Sequence, residues 1–492
     1  MSFGSPPSPF TQSIRAAEDR KRRRTRFWGA LAAALAVLLC VGGWISRAGL
    51  PGSDTSPHAP TPTAAQVSDD IRETVDKLPG SPEGQMGARW YEEGYKKYET
   101  HKAPGIWATA KNIARGIGTG ELTGVDAKTG DKAWTLKLKG HLCATTQHVT
   151  VDGRTAVVAQ SQPAHTENGA PVLDGCDEVI LFDVDTGKKL WEAKLPNAQS
   201  ASMFSTNVTM TRGTVAVAWG DGSAAYTMDH GKRLWMSTGT SACRDVGFSG
   251  GHALLALVSC DKSGDTVFEV QKVEPHTGKP EWIYKVSPGV KGVYVPSSEP
   301  PVIAVEAGDD QITELITLDD KGRHRATISM EGVYDPMCSH QDYGVVERCD
   351  ALAVGSRQLF VASKDSIEVN QPSNWIVSFD LATGRSMRKF DGRAAEPIYP
   401  VRMNGDKLLA YRGTSADIGL SAIMSLDPST GQQTPFLLFG LDGQTSSDLQ
   451  DPSMADVLVE HGRVVLAPKE IEGDAADEHN LALVALGVEP AK

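Results

Sequence analysis

"VILFDVDTGKKLWEAKL", residues 179–195, carries an alternating apolar run, a turn ending in Gly187, a tryptophan four residues later at Trp191, and a second alternating run. It also contains Asp185-Thr186-Gly187, the tripeptide that surrounds the catalytic aspartate of aspartic proteases. The stretch is therefore either a piece of an active site or an ordinary strand–turn–strand unit. Other parts of the chain decide between the two.

The unit recurs. "LTGVDAKTGDKAWTLKL" (122–138), "AAYTMDHGKRLWMS" (224–237) and "QKVEPHTGKPEWIYKV" (271–286) repeat the Gly-to-Trp spacing at Gly130/Trp134, Gly231/Trp235 and Gly278/Trp282. Three later copies, "LITLDDKGRHRATIS" (315–329), "WIVSFDLATGRSMRKF" (375–390) and "AIMSLDPSTGQQTPFLL" (422–438), keep the turn, but Ala326, Arg388 and Pro435 replace the tryptophan. A truncated copy closes the series at "NLALVALGVEP" (480–490). The acid opening each turn reads as Asp126, Asp183, Asp229, Glu274, Asp319, Asp380 and Asp427. Asp185 lies outside that recurrent position, and its slot holds Lys128, His276, Ala382 and Ser429 in other copies. A protease would need two such aspartates facing each other to share a proton. The tripeptide is turn chemistry.

Before each copy lies another alternating hairpin, as in "HVTVDGRTAVVAQ" (148–160) and "VRMNGDKLLAYRG" (401–413). Period-two alternation around a glycine turn is the hairpin signal. Two hairpins in a repeat of about 45 residues make a four-stranded blade of a β-propeller. Eight blades are expected, with seven as the alternative. Gly supplies the positive φ of each turn, and the tryptophan is placed to cover the seam between blades. The last copy lacks a fourth strand, which residues around 86–103 are expected to supply.

The apolar strand, D-x-x-T-G turn and Trp four residues on resemble the pyrroloquinoline-quinone (PQQ) repeat over roughly residues 104–490. That repeat builds the eight-bladed propellers of quinoprotein dehydrogenases and of the outer-membrane assembly factor BamB. The resemblance implies the fold, and its turn motif is architectural in both branches. The adjacent-cysteine disulfide known beside the cofactor in quinoprotein alcohol dehydrogenases has no counterpart here, and there is no C-x-x-C-H haem motif. PQQ needs converging polar groups, a divalent ion and a stacking tryptophan. Trp219 and Trp375 are the candidates for stacking, and both read better as strand residues packed between blades. The expectation is a non-catalytic protein with no cofactor and no metal site, PQQ with Ca²⁺ being the alternative.

The N-terminus sets the expected location. Residues 1–26 carry seven basic side chains against Glu18 and Asp19, a net +5, whereas the whole chain is at −12, leaving −17 for the remainder. An acidic body excludes a nucleic-acid partner, which needs a basic face. Phe27–Ile45 is uncharged over 19 residues and has Trp28 and Trp44 at its ends. About 20 apolar residues cross a bilayer, and basic residues mark the cytoplasmic side. A cleaved signal peptide lacks a small-x-small site in "ISRAGL", and a lipoprotein signal at Cys40 would need a small residue where Leu39 stands. The expected organisation is a cytoplasmic basic tail (1–26), a transmembrane helix (27–46), a Pro/Ser/Thr-rich stalk (47–85) with a short helix near Ile71–Leu78, and an extracytoplasmic propeller (86–492).

Six cysteines follow the span, an even number that suits an oxidising compartment. They form three close sequential couples, predicting Cys143–Cys176, Cys243–Cys260 and Cys338–Cys349. None has C-x-x-C spacing, which argues against zinc.

No H-E-x-x-H or G-x-S-x-G occurs, and the 12 histidines are scattered. His141 and His148 flank Cys143, but an oxidised cysteine is a poor nucleophile. Asn207 opens a glycosylation sequon inside a predicted strand. The acidic run "EIEGDAADEHN" (470–480) reads as a solvated loop. The loops 161–177 and 331–350, each holding disulfide cysteines, are the first places to expect a partner or ligand. Together these readings describe a membrane-anchored scaffold or ligand sensor at the cell envelope, or an accessory subunit of a secretion or signalling complex. A PQQ-dependent dehydrogenase is the rival class.

Overall fold

A computed structural model describes residues 67–491, except 94, 96–99, 164, 168–169, 173–174, 239–241, 263–264, 309–310, 339–345, 366–371, 415–418, 442–444, 446–447 and 473–481. The expected tail, membrane span and upstream part of the stalk lie outside the described residues. No helix among the described residues is long and apolar enough to cross a membrane.

Among the described residues, eight four-stranded antiparallel sheets follow one another. Blades 1 to 7 take their strands in chain order. Blade 1 runs from Gly105–Ala108 through Asn112–Ile117 and Glu121–Asp126 to Lys132–Lys137. Blades 2, 3, 4, 5, 6 and 7 begin at Leu142–Thr145, Asn207–Thr211, Cys243–Ser249, Gly292–Ser298, Leu352–Val354 and Ile398–Asn404. Blade 8 joins the two ends of the described chain. Its first three strands are Ala455–Glu460, Arg463–Pro468 and Ala482–Pro490, and its outermost strand is Gly84–Glu92. The strand Gly84–Glu92 pairs antiparallel with Ala482–Pro490, from Gly84 opposite Pro490 to Glu92 opposite Ala482. The closing strand thus comes from the N-terminal side, a little earlier than 86–103. First strands pack in succession from blade 2 round to blade 8, which meets blade 1 and completes the ring.

Burial follows position in the blade. Second strands such as Thr214–Ala218 are buried along their whole length, whereas fourth strands such as Lys189–Lys194 alternate between exposed and half-buried. This is why second strands read as continuous apolar runs and fourth strands as amphipathic ones.

The seam between blades has one recurrent bond. Trp134, Trp191, Trp235 and Trp282 each donate the indole N–H to a carbonyl in the next blade's turn, at Val184 (3.1 Å), Met228 (2.8 Å), Pro275 (2.8 Å) and Asp320 (3.1 Å). Each ring covers the glycine of that turn. A Cβ at Gly187 would sit 2.4 Å from the Trp134 ring, and Gly187 has φ 66°. Where the tryptophan is lost, two seams keep the donor in another form. Thr317 Oγ1 donates to Leu381 O (2.7 Å) beside Ala326, and Arg388 donates to Ser429 O (3.0 Å) and Pro428 O (3.4 Å). Gly187→Ala is expected to cost about 1–3 kcal/mol, from left-handed backbone strain and displacement of the ring. A urea midpoint measurement checks this.

The recurrent acid caps its own turn. Asp183 Oδ1 accepts from the amide and hydroxyl of Thr186, both at 2.7 Å, and Asp126, Asp380 and Asp427 do the same work in their blades. Blade 3 departs from the sequence reading. Its turn opens at Thr227, whose carbonyl accepts from Gly231 N (3.0 Å), so Asp229 is the counterpart of Asp185 rather than of Asp183. Both of these second-position acids bridge to the preceding blade. Asp185 accepts from Thr109 and pairs with Lys111 (3.4 Å), and Asp229 pairs with Arg154 (3.1 Å). The opening tripeptide is therefore a capped turn with a carboxylate that holds blade 2 to blade 1.

All three expected disulfides are present: Cys143–Cys176, Cys243–Cys260 and Cys338–Cys349. From residue 67 onward the expected stalk is bound to the propeller, and no helix forms at Ile71–Leu78. This segment, the strap, is extended, with Ile71 bridged to Thr150 and buried among residues of blades 2 and 3.

Candidate functional site

The central channel is where the first strands converge, and the chain itself fills much of it. The loop between blades 5 and 6 sends Val346–Asp350 inward. Val346 O accepts from Val295 N of blade 5 (2.8 Å), and the Cys338–Cys349 bridge holds the base of the loop. The buried carboxylate of Glu347 then meets donors from three blades. These are Thr209 Oγ1 (2.9 Å), Gly250 N (2.8 Å) and His148 Nε2 (3.2 Å).

The next residue joins an ionic chain. Arg348 donates to Asp350 Oδ1 (2.7 Å) and to Asp456 Oδ1, and Asp350 also pairs with Lys469. Asp456, on the first strand of blade 8, accepts from Arg115 of blade 1 at 2.8 Å, and Arg115 donates again to Pro468 O. Arg115 is fully buried and Asp456 is 4% exposed. Burial alone would raise the Asp456 pKa, but Arg348, Arg115 and Lys469 together hold it below the usual carboxylate range. Burial pulls Arg115 downward against the attraction of Asp456. These charges pair with one another, leaving Arg115 Nε without a hydrogen bond among the described residues, and the pairing crosses the junction of blades 8 and 1.

A cavity of about 440 Å³ remains beside this network, lined by residues such as Ile106, Tyr399, Arg402, Val457 and Glu460. The strap is bonded to two of its lining residues. Thr74 donates to Glu460 (2.6 Å), and Arg402 reaches both Thr74 O (2.8 Å) and Asp76 Oδ2 (2.6 Å). Glu73 pairs with His252 of blade 4 at 2.6 Å. This pairing lifts the His252 pKa above its ordinary value, against burial, and Glu299 and Asp70 add to the lift. Glu73 is held below its ordinary value by the same bond. Lys272 lines an adjoining recess of about 800 Å³ together with Ile71, Glu73, Thr74 and His252.

The sign of the pH dependence follows from linkage. The histidine's contribution is complete below about pH 6.5 and is lost as pH rises through its raised folded pKa. The glutamate's is present above about 4.3 and lost as pH falls through its depressed value. The strap is therefore expected to loosen as pH rises above about 6.5 and through the raised pKa of His252. Exchange of the Arg72 amide, which donates to Val149 O at 2.8 Å, should accelerate beyond its intrinsic pH dependence. His252→Gln should remove the excess.

The residues singled out in the sequence fall as follows. Trp219 is buried against Gly222 within blade 3, and Trp375 lies under Lys389 Nζ at 4.3 Å, so neither lines the cavity. Asn207 is buried in blade 3 and its Oδ1 accepts from Phe248 N (2.8 Å), so the sequon is not presented to solvent. His141 bonds Gly118 O (3.0 Å), while His148 bonds Glu347 of the inward segment Val346–Asp350. Of the acidic run, Glu470–Ile471 pair with His101–Lys102, and 473–481 lie outside the described residues. The loop 331–350 does reach the channel. Arg115, Asp456 and the strap were not singled out by sequence.

PQQ and its cation would need converging donors and a stacking indole. Among the described residues no three His, Cys, Asp or Glu side chains converge where an ion could be held. The channel carboxylates are instead turned towards arginine, lysine and histidine. This donor set does not fit the cofactor.

Residues 118–390 match the family described as outer membrane protein assembly factor BamB. The chain belongs to this family. Similar solved structures include BamB from Moraxella catarrhalis, 12% identical over 81% of this chain and 98% of that one, with a TM-score of 0.43. A quinohemoprotein alcohol dehydrogenase from Comamonas testosteroni is 11% identical over 83% and 77%, with a TM-score of 0.44. Sqt1 from Saccharomyces cerevisiae is 11% identical over 82% and 100%, with a TM-score of 0.43. Likeness at this level carries no information on activity. No curated protein matches the sequence.

Proposed function

We propose that this BamB-family propeller is a non-catalytic interaction module, anchored by the apolar segment 27–46 and exposed outside the cytoplasm. The observation that carries this reading is the inserted segment Val346–Asp350, which commits the channel's charged groups to ion pairs with one another. The basic tail followed by an uncharged run supports the anchor, and the three disulfides support an oxidising compartment. Partners are proteins of the envelope. They are expected at the face bearing the loops that connect successive blades, where Phe204, Val333 and Met454 are exposed.

In the test, photo-crosslinking residues replace Phe204 and Met454 in intact cells and adducts are identified by mass spectrometry. A discrete partner at these positions, absent when the crosslinker sits on the fourth strand of blade 3, supports the proposal. Titration of the detergent-solubilised full chain with PQQ and Ca²⁺ tests the rival class. Stoichiometric binding accompanied by alcohol or sugar oxidation overturns the proposal.

A further inference from the structure

The strap is read by the propeller along its length. Its backbone pairs with blade 2, where Val151 N donates to Asp70 O (2.9 Å) and Arg72 N to Val149 O (2.8 Å). Ile71 enters the seam between blades 2 and 3. Three carboxylates then meet three cations on separate blades: Asp70 with Arg212 (3.1 Å), Glu73 with His252 (2.6 Å) and Asp76 with Arg402 (2.6 Å). Asn404 clamps the backbone of Asp76 from both sides, accepting from its N–H (2.7 Å) and donating to its carbonyl (2.9 Å), while Gly462 N donates to the Asp76 carboxylate (2.7 Å).

Little apolar burial accompanies these contacts. Ile71 is 8% exposed, but Val67, Val75 and Leu78 are 47%, 69% and 53% exposed. The Asp70–Arg212 and Glu73–His252 pairs are partly exposed and contribute about 0–1 kcal/mol each. The better buried Asp76–Arg402 and Arg72–Glu460 pairs are the firmer anchors. The segment buries less apolar surface than the strand Gly84–Glu92. Pro79, Gly80 and Pro82 separate the two. A Cβ at Gly80 would meet nothing within 4 Å, and Pro82 O is pinned by Leu438 N (2.7 Å). The strap can lift about this point while the ring stays closed.

We infer that the groove under the strap is a binding site for an extended acidic peptide, and that residues 67–78 occupy it in cis. The recognised pattern is an aliphatic side chain preceded by one carboxylate and followed by two more, as in Asp70-Ile71-Arg72-Glu73-Thr74-Val75-Asp76. A partner segment of that chemistry displaces the strap and occupies the recess lined by Ile71–Val75. The inference rests on the interaction-module reading, to which it adds the chemistry of a second partner and its place on the opposite face.

The test uses full-length wild type and the strap variant Ile71→Ala/Asp76→Ala, with a fluorescent peptide of residues 66–79 as probe. Saturable binding to the variant at least about tenfold tighter than to wild type is expected. Arg402→Ala added to the variant should abolish it, as should Asp76→Asn in the peptide. A folded variant, judged by circular dichroism and melting, that fails to bind the peptide overturns the inference. So does equal binding by wild type, or equal binding of a peptide altered at both anchor positions. If the variant does not fold, amide exchange in wild type decides. Exchange at Arg72 faster than across Gly84–Glu92 supports a displaceable strap, and equal rates overturn it. Failure of the crosslinking experiment would remove the interaction module altogether, whereas failure here removes only the groove.

Discussion

Asp456→Ala is expected to lower the stability of the propeller by about 3–5 kcal/mol, because it strands two arginines in the channel wall. Arg115 has no solvent to turn to, and its other bond, to Pro468 O, belongs to the same blade as Asp456. The neutral backbone acceptor cannot balance a buried charge. The pair also spans the junction of blades 1 and 8, so the loss falls where the ring closes. Replacing Arg115 and Asp456 together by leucine should recover the part of the deficit that comes from Arg115, since apolar substitutes for a buried ion pair are often neutral, while Arg348 keeps only Asp350. Urea denaturation of the single and double variants gives both quantities. A single-variant loss below about 1 kcal/mol would mean that water already solvates the site.

Removal of residues 1–92 is expected to be the most damaging truncation, whereas removal of 1–66 should leave the melting transition nearly unchanged. The strand Gly84–Glu92 carries Ala88 and Trp90, 1% and 3% exposed, against the third strand of blade 8. Without it, Ala482–Pro490 becomes an unprotected edge of the kind that pairs with other molecules. The shortened protein should therefore aggregate, read by size-exclusion chromatography. Trp90→Ala isolates the packing contribution and should cost about 3–5 kcal/mol.

The blades were legible because their repeat is local. Gly187 and Trp191 are four residues apart in sequence, and the contact each makes is repeated at the neighbouring seam. The disulfides were legible for the same reason, with short loops inside one blade or its connections. The channel was not. Arg115 and Asp456 are 341 residues apart, and each looks like an ordinary polar position in a strand. Glu347 and Arg348 lay within a loop already marked for attention, but no local pattern says that such a loop turns inward. The strap was read as a free stalk because only Ile71 is buried among polar neighbours. Its partners are single cations scattered over three blades. Thr317 and Arg388 show the reverse error, since the bond at those seams survives although the tryptophan motif does not.

The pairing of Gly84–Glu92 with Ala482–Pro490 also orders events in time. Seven blades can form from neighbouring segments, but blade 8 must wait until both partners exist, and joining distant segments carries a loop-closure entropy cost that slows folding. During that interval the strand bearing Trp90 has no partner, and a chain emerging on the far side of a membrane would have it exposed from the start. A holding chaperone that shields this one strand until Pro490 arrives would govern the yield of folded protein without contributing anything to its final stability.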